Sequence, residues 1–147
     1  MKRIKNFICL FALVLLVGCS NGYKEGEYTG TAIDSYGGQE NTATAKVTVN
    51  SDGKITSVYL DTTYTTDKGV STTKKTLGND YNMKTYMPTA AGEWFEQVEK
   101  LEQAVIDNQG IDFLNLDEDG YTDAVSGCTI KIDALYEALE DALKQAK

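Results

Sequence analysis

The stretch from Thr42 to Thr63, TATAKVTVN SDG KITSVYLDTT, decides the fold. Ala43, Ala45, Val47 and Val49 fall on one side of a two-residue alternation, with Thr and Lys on the other. That period marks a half-buried strand rather than a helix. Ser51-Asp52-Gly53 is a hairpin turn, because Asp-Gly supplies the positive φ such turns need. Lys54–Thr63 then returns as the antiparallel partner. Upstream, Glu27–Ile33 (EYTGTAI) reads as a further strand, with Tyr28, Gly30 and Ala32 alternating against Thr29, Thr31 and Ile33. Asp34–Asn41, with Gly37-Gly38, reads as the turn between them.

Downstream the period changes. Thr89–Asn108 is expected to be a helix, with Trp94, Phe95, Val98, Leu101, Val105 and Ile106 at helical spacing and Gly110 closing it. Ile130–Lys147 repeats the pattern with Ile132, Leu135, Tyr136, Leu139 and Leu143. Tyr64–Asn82 is polar and lacks a period, so it reads as a long loop or short irregular helix, a kind of segment that is often functional. Gly110–Thr122 is an acidic loop. The order predicts an α+β fold, an antiparallel sheet with two amphipathic helices packed on it.

Composition bounds the chemistry. The chain has 147 residues, 14 basic, 22 acidic, 3 Cys and no His. One domain is the expectation at this length. Without His there is no Ser-His-Asp or Cys-His nucleophile and no His-ligated metal. A net charge of −8 argues against nucleic acid as a partner. No catalytic acid–base set and no metal site stand out. Asn115, Asp117, Asp119 and Asp123 occupy places one, three, five and nine of a calcium loop, but Ser126 stands where the twelfth place needs Glu, so a solvated acidic loop is the preferred reading.

Residues 1–18 (MKRIKNFICLFALVLLVG) join a basic start to an apolar run too short to span a bilayer comfortably, the pattern of a secretory signal. Leu16-Val17-Gly18-Cys19 resembles the lipobox of bacterial lipoproteins, which implies cleavage before Cys19 and its diacylation. The expected division is therefore 1–18 signal peptide, 19–25 lipidated Cys and tether, and 26–147 the domain. Removing Lys2, Arg3 and Lys5 leaves 11 basic residues against 22 acidic, a net charge of −11. Two acyl chains anchor stably, and so acidic a domain stands off an anionic membrane. Cys128 becomes the only free thiol, with an inert, small apolar role favoured over a redox one.

Asp123-Ala124-Val125-Ser126-Gly127-Cys128-Thr129 resembles the flavinylation motif of the FMN-binding domain family: Asp, two variable residues, Ser or Thr, then Gly-Ala-Thr. Tyr23–Gly30, the turn Asp52–Ile55 and the final helix are similar to the family as well, so the likeness covers most of residues 23–147. The family includes the C and G subunits of sodium-pumping and Rnf-type oxidoreductases and small surface lipoproteins of extracellular electron transfer. The resemblance implies FMN covalently held through a phosphoester on Thr129, attached from FAD by a separate flavin transferase. Asp123, Ser126, Gly127 and Cys128 would complete the cofactor-binding motif. It further implies a lipid-anchored protein at the extracytoplasmic face of the membrane, on a Gram-positive surface. Electrons would come from a membrane quinol pool or NADH-linked oxidoreductase and pass to extracellular acceptors. Such a protein carries electrons and is not a catalyst with its own acid–base residues.

Two departures are visible: Cys128 stands for the usual Ala, and Lys131 for a frequent second Ser or Thr. They keep open an alternative in which the domain takes no flavin and acts as a ligand-binding or signalling lipoprotein, with a pheromone-like signal fragment. Asp123–Thr129 also reads as a turn before a helix, where Ser126, Thr129 or Asp133 qualifies as a cap and the helix N-terminus favours a phosphate. Among neighbours, Tyr81, Met83 and Tyr86 are candidates to shield a flavin ring. Trp94 and Phe95 read as core, and Lys68, Lys74 and Lys75 as a solvated patch.

Overall fold

The computed structural model describes residues 22–36 and 38–147. Residues 1–18, Cys19 and Gly37 lie outside the described residues. Four strands form one antiparallel sheet in the order β1-β2-β3-β4: β1 Gly26–Tyr36, β2 Gln39–Val49, β3 Ile55–Thr65 and β4 Ser71–Thr73. The hairpin forms as its alternation requires. Ala43, Ala45, Val47 and Val49 are all buried, Val47 faces Val58, and Gly53 turns with φ +72°. Asn50 Oδ1 accepts from the N–H groups of Asp52 and Lys54, which fixes the turn.

The turn expected over Asp34–Asn41 is far shorter. Tyr36 pairs with Gln39, so only residues 37 and 38 connect the strands, and Gly38 has φ +77°. A two-residue connection favours positive φ and hence glycine. The flanking polar residues are free to extend the ladder, and β1 thereby reaches three residues past Ile33.

Two long helices cover one face of the sheet. The helix expected from Thr89 starts at Trp94: α3, Trp94–Asn108, opens with a reciprocal Glu93–Glu96 capping box, and Glu93 N–H donates to Glu96 Oε2 at 2.8 Å. The last, α4 (Asp133–Gln145), starts three residues after the expected Ile130. Its apolar stripe of Leu135, Ala138, Leu139, Ala142 and Leu143 is buried on β1 and β2, while Val98, Leu101 and Val105 of α3 pack toward β3. Each such buried Leu or Val contributes about 1.5–3 kcal/mol from apolar burial.

The long polar segment is not a plain loop. It holds β4, the short helices α1 (Lys74–Leu77) and α2 (Met83–Tyr86), and a 3-10 turn over Gly78–Tyr81. Thr73 caps α1 by accepting from Thr76 N–H. Lys74 and Lys75 are not a solvated patch. Lys74 is buried and pairs with Asp34, and Lys75 pairs with Glu102 at 2.5 Å; Lys68 alone of the three is exposed.

Glu102 of α3 and Gln109, the residue that ends it, close the edge of β3 that β4 leaves uncovered. Leu60 N–H donates to Glu102 Oε1 at 2.6 Å, and Ile55 exchanges two hydrogen bonds with the Gln109 amide. An unpaired strand edge is thus masked by fixed acceptors and donors. At the chain start, Tyr23 N–H bonds Gly53 O and Lys24 N–H bonds Ala146 O, so the tether's last residues are fastened to the domain.

Candidate functional site

The motif Asp123–Thr129 forms a tight turn anchored at both ends. Val125 and Cys128 are buried, and Cys128 N–H donates to Val125 O at 3.1 Å. Gly127 occupies the third position with φ +77°, where a side chain would be strained. A Cβ there would also press on the end of Lys100. Burying the outer pair turns Ser126 and Thr129 to the surface. Cys128 is 4 % exposed, in the core, and burial pushes its thiol above the ordinary value. A small buried side chain is what this position accommodates, and burial disfavours the thiolate.

Thr129 does not cap the final helix. The capping position is Ile132, with no side-chain bond, and Asp133 spends its carboxylate on Ala134 N–H and Lys131. The helix-end argument for a phosphate at Thr129 therefore loses its geometry, and so does the reading of Ser126 or Thr129 as a cap. Thr129 is held instead by Gln97 of α3, which is fully buried. Gln97 Oε1 accepts both the Thr129 N–H (2.7 Å) and the Thr129 hydroxyl (3.0 Å), and Ala91 N–H donates to Thr129 Oγ1 at 3.3 Å. The other half of the amide donates to Gly92 O at 2.8 Å. A buried amide with both ends satisfied fixes its partner firmly.

Replacing Gln97 with Leu, close in volume but apolar, leaves Thr129 N–H and Gly92 O unpartnered. The expected cost is about 1–3 kcal/mol in urea unfolding, with a fall in the flavin-to-protein ratio of purified material. Unchanged stability and ratio would remove Gln97 from the site.

Thr129 sits on the rim of a cleft of about 230 Å³. The end of β1, from Ile33 to Tyr36, forms one wall, Lys74, Tyr81, Met83 and Trp94 another, and Lys131 and Asp133 the entrance to α4. Tyr81 meets Tyr64 edge-on at 5.2 Å between centroids and Trp94 at 6.5 Å. Burial, first, and the neighbouring Tyr64, Tyr36 and Asp34 push the Tyr81 phenol up to about 12, so it remains a donor at any physiological pH. Behind the cleft lies a smaller void of about 20 Å³, lined in part by Thr62, Asp34 and Lys74. It has room for one water. Among the described residues, Thr62 Oγ1 is the one buried side-chain polar atom without a partner.

Of the motif residues, Thr129 alone lines the cleft. Asp123 and Ser126 are exposed on the turn, Gly127 is part-exposed and Cys128 faces the core. Tyr81 and Met83 line the cleft as expected for ring-shielding groups. Tyr86 is 81 % exposed and does not line it. Trp94 belongs to the core and lines the cleft as well, while Phe95 is half-buried against the core. In the acidic loop, Asp117 Oδ1 is taken by the N–H groups of Asp119 and Tyr121. Among the described residues no acidic or cysteine cluster has the geometry to hold a metal ion. Gln97 was missed by the motif reading. Its signal is a polar amide within the apolar stripe of α3, three residues after Trp94 and four before Leu101.

On a small α+β scaffold, Thr129 is held by Gln97 where it lines a cleft walled in part by Tyr81, Met83 and Trp94. Residues 37–144 match the model of the FMN-binding domain family, and the chain belongs to that family. It is a flavin-binding protein with FMN as its cofactor. No curated protein and no solved structure matches the chain significantly.

The residues present fit that cofactor. The cleft is smaller than the roughly 300–1,000 Å³ of sites that enclose a whole drug-sized ligand. The ring end would fit there, with Tyr81, Met83 and Trp94 as apolar contacts and Lys74 and Asp34 as polar ones. The phosphate tail would remain at the surface, beside Lys100 and Lys131.

Proposed function

We propose that the protein is a lipid-anchored electron carrier whose FMN is esterified to Thr129. The observation that carries this reading is Thr129 itself: an exposed residue that lines the cleft, its hydroxyl oriented by the buried Gln97. A transferase joins Thr129 Oγ1 to the FMN phosphorus of FAD. The pyrophosphate bond breaks, AMP leaves, and the hydroxyl proton passes to a base of the transferase. Gln97 fixes the position of that oxygen, and Lys100 and Lys131 near the turn would offset the phosphate charge. Asp123, Ser126 and Gly127 would serve as the surface the transferase recognises, with Cys128 as the anchor beneath it.

FMN, when bound, supplies reversible two-electron redox chemistry, and the protein supplies position and electrostatics. Trp94 and Tyr81 would exclude water from one side of the ring, and exposed Ile33, Tyr36 and Met87 at the mouth leave an apolar margin for close approach of a redox partner. Diacylated Cys19 would keep the domain at the extracytoplasmic face, on a Gram-positive surface. There a covalent bond prevents loss of the cofactor and keeps its local concentration high beside a membrane quinone or NADH-linked oxidoreductase. Extracellular acceptors would take the electrons.

The test is fractionation of the native host. Flavin fluorescence is expected to run with the denatured protein in gels of the membrane fraction. Fluorescence that leaves on denaturation would contradict the ester, and a band found only in the medium would contradict the anchor.

A further inference from the structure

We propose that Lys74 is a positioning charge that raises the reduction potential of flavin held in the cleft; this rests on the reading that FMN occupies the cleft beside Thr129. Lysine is among the residues least often buried. Taking an ammonium out of water costs several kcal/mol unless it is well paired. Yet the Lys74 side chain is only 8 % exposed, in the first turn of a four-residue helix.

Its partners do not exhaust it. An ammonium has three N–H donors. Among the described residues Lys74 Nζ makes one hydrogen bond, to Asp34 Oδ2 at 3.2 Å. The ammonium lies 5.2 Å from the centroid of the Trp94 ring and 5.7 Å from that of Tyr81, the same two rings that line the cleft. Lys74 itself lines the cleft and also the small void behind it that holds the orphaned Thr62 hydroxyl. A cation with donors to spare therefore stands at the boundary of the ligand space.

Lys75 shows the contrast. It too is largely buried, but it is paired with Glu102 at 2.5 Å, stacks 4.2 Å from the Tyr59 ring centroid, and does not line the cleft. Reduction adds electrons to the flavin ring, so a fixed positive charge beside it favours the reduced state. The low local dielectric makes that charge felt more strongly than in water. Asp34 works against it, and the balance of the two sets the potential.

The full chain, flavinylated by co-expression with the transferase, is titrated spectroelectrochemically as wild type, Lys74→Met, Lys74→Arg, Asp34→Asn and the exposed control Lys68→Met. Intact mass is measured on every sample. Lys74→Met is expected to shift the reduced-to-oxidised ratio at least tenfold toward oxidised, a fall of about 30 mV for a two-electron couple. Asp34→Asn is expected to shift it the other way, and Lys74→Arg and Lys68→Met to stay within threefold of wild type. A Lys74→Met protein within threefold of wild type overturns the proposal. Should Lys74→Met fail to fold or to take flavin, Lys74→Gln takes its place: the same fall supports the role of Lys74, and a value within threefold of wild type overturns it. A wild-type protein with no added FMN in the mass measurement would overturn the flavin-attachment reading itself and this proposal with it, which separates the two failures.

Discussion

Thr129→Ala protein, co-expressed with the flavin transferase, is expected to be colourless and to lack the mass of FMN less one water that the wild type carries. The effect should be all-or-none, because the ester needs an oxygen at that position of the motif; Ser35 is also exposed and lines the cleft, but it lies on β1, outside the Asp123–Thr129 turn. Ser126 lies on the same turn but does not line the cleft, and Thr122 is buried. Stability should fall modestly. The variant keeps the backbone N–H of Thr129 on Gln97 and loses two side-chain bonds, the hydroxyl to Gln97 Oε1 and Ala91 N–H to Thr129 Oγ1, each worth about 0.5–1.5 kcal/mol. Loss of flavin in a protein that still unfolds cooperatively in urea would separate chemistry from folding. A Thr129→Ala protein that remained yellow after denaturation would end the ester account. The neighbouring departure from the family pattern has its own control. Cys128 is buried like the small residue it replaces, so Cys128→Ala is expected to match the wild type in flavin content. Flavin gained only on that change would favour a domain that has given up its cofactor.

The largest loss of stability is expected from Gly30→Ala. Gly30 in β1 faces Ala45 across the ladder and lies directly under α4. A Cβ there would run into the Ala138 carbonyl oxygen and the Ala142 backbone nitrogen. Neither atom can rotate away, so the helix must lift off the sheet. Such overpacking costs about 1–3 kcal/mol and sometimes more, and a backbone collision belongs at the top of that range. Gly38→Ala is the control. It changes a glycine in the connection between β1 and β2, where no atom lies within 4 Å of the added carbon, so only the strain of φ +77° is incurred. The order of urea midpoints is expected to be wild type, Gly38→Ala, Gly30→Ala. A Gly30→Ala protein as stable as the control would mean that α4 does not sit as close to β1 as described.

The hairpin and both long helices were legible because their apolar residues repeat at one period over ten or more positions, and burial then has a single solution. What escaped was built from polar residues. Asp34–Tyr36 and Gln39–Asn41 carry no alternation strong enough to announce strands; they are extended because the two-residue connection lets the ladder run on. The segment from 64 to 82 is ordered by Tyr81 on Trp94 and by the Lys74–Asp34 pair, which joins residues 40 apart in the chain. No local pattern reveals such a partner, so a lysine-rich run reads as solvated. Those same extensions and pairs build the cleft. Thr129 lines the cleft, but the helix end expected beside it does not reach it. The hydroxyl is set by Gln97, from a different helix, and this becomes visible only when α3 is packed against the turn.

The attachment point itself can be read directly. Trypsin cleavage after Lys100 and Lys131 releases one peptide, residues 101–131, that contains Thr122, Ser126 and Thr129 together. Fragmentation of that peptide from protein isolated from its own host is expected to place a phosphoester-linked FMN on Thr129. The unmodified peptide alone, or FMN located on Ser126 or Thr122, would contradict the account.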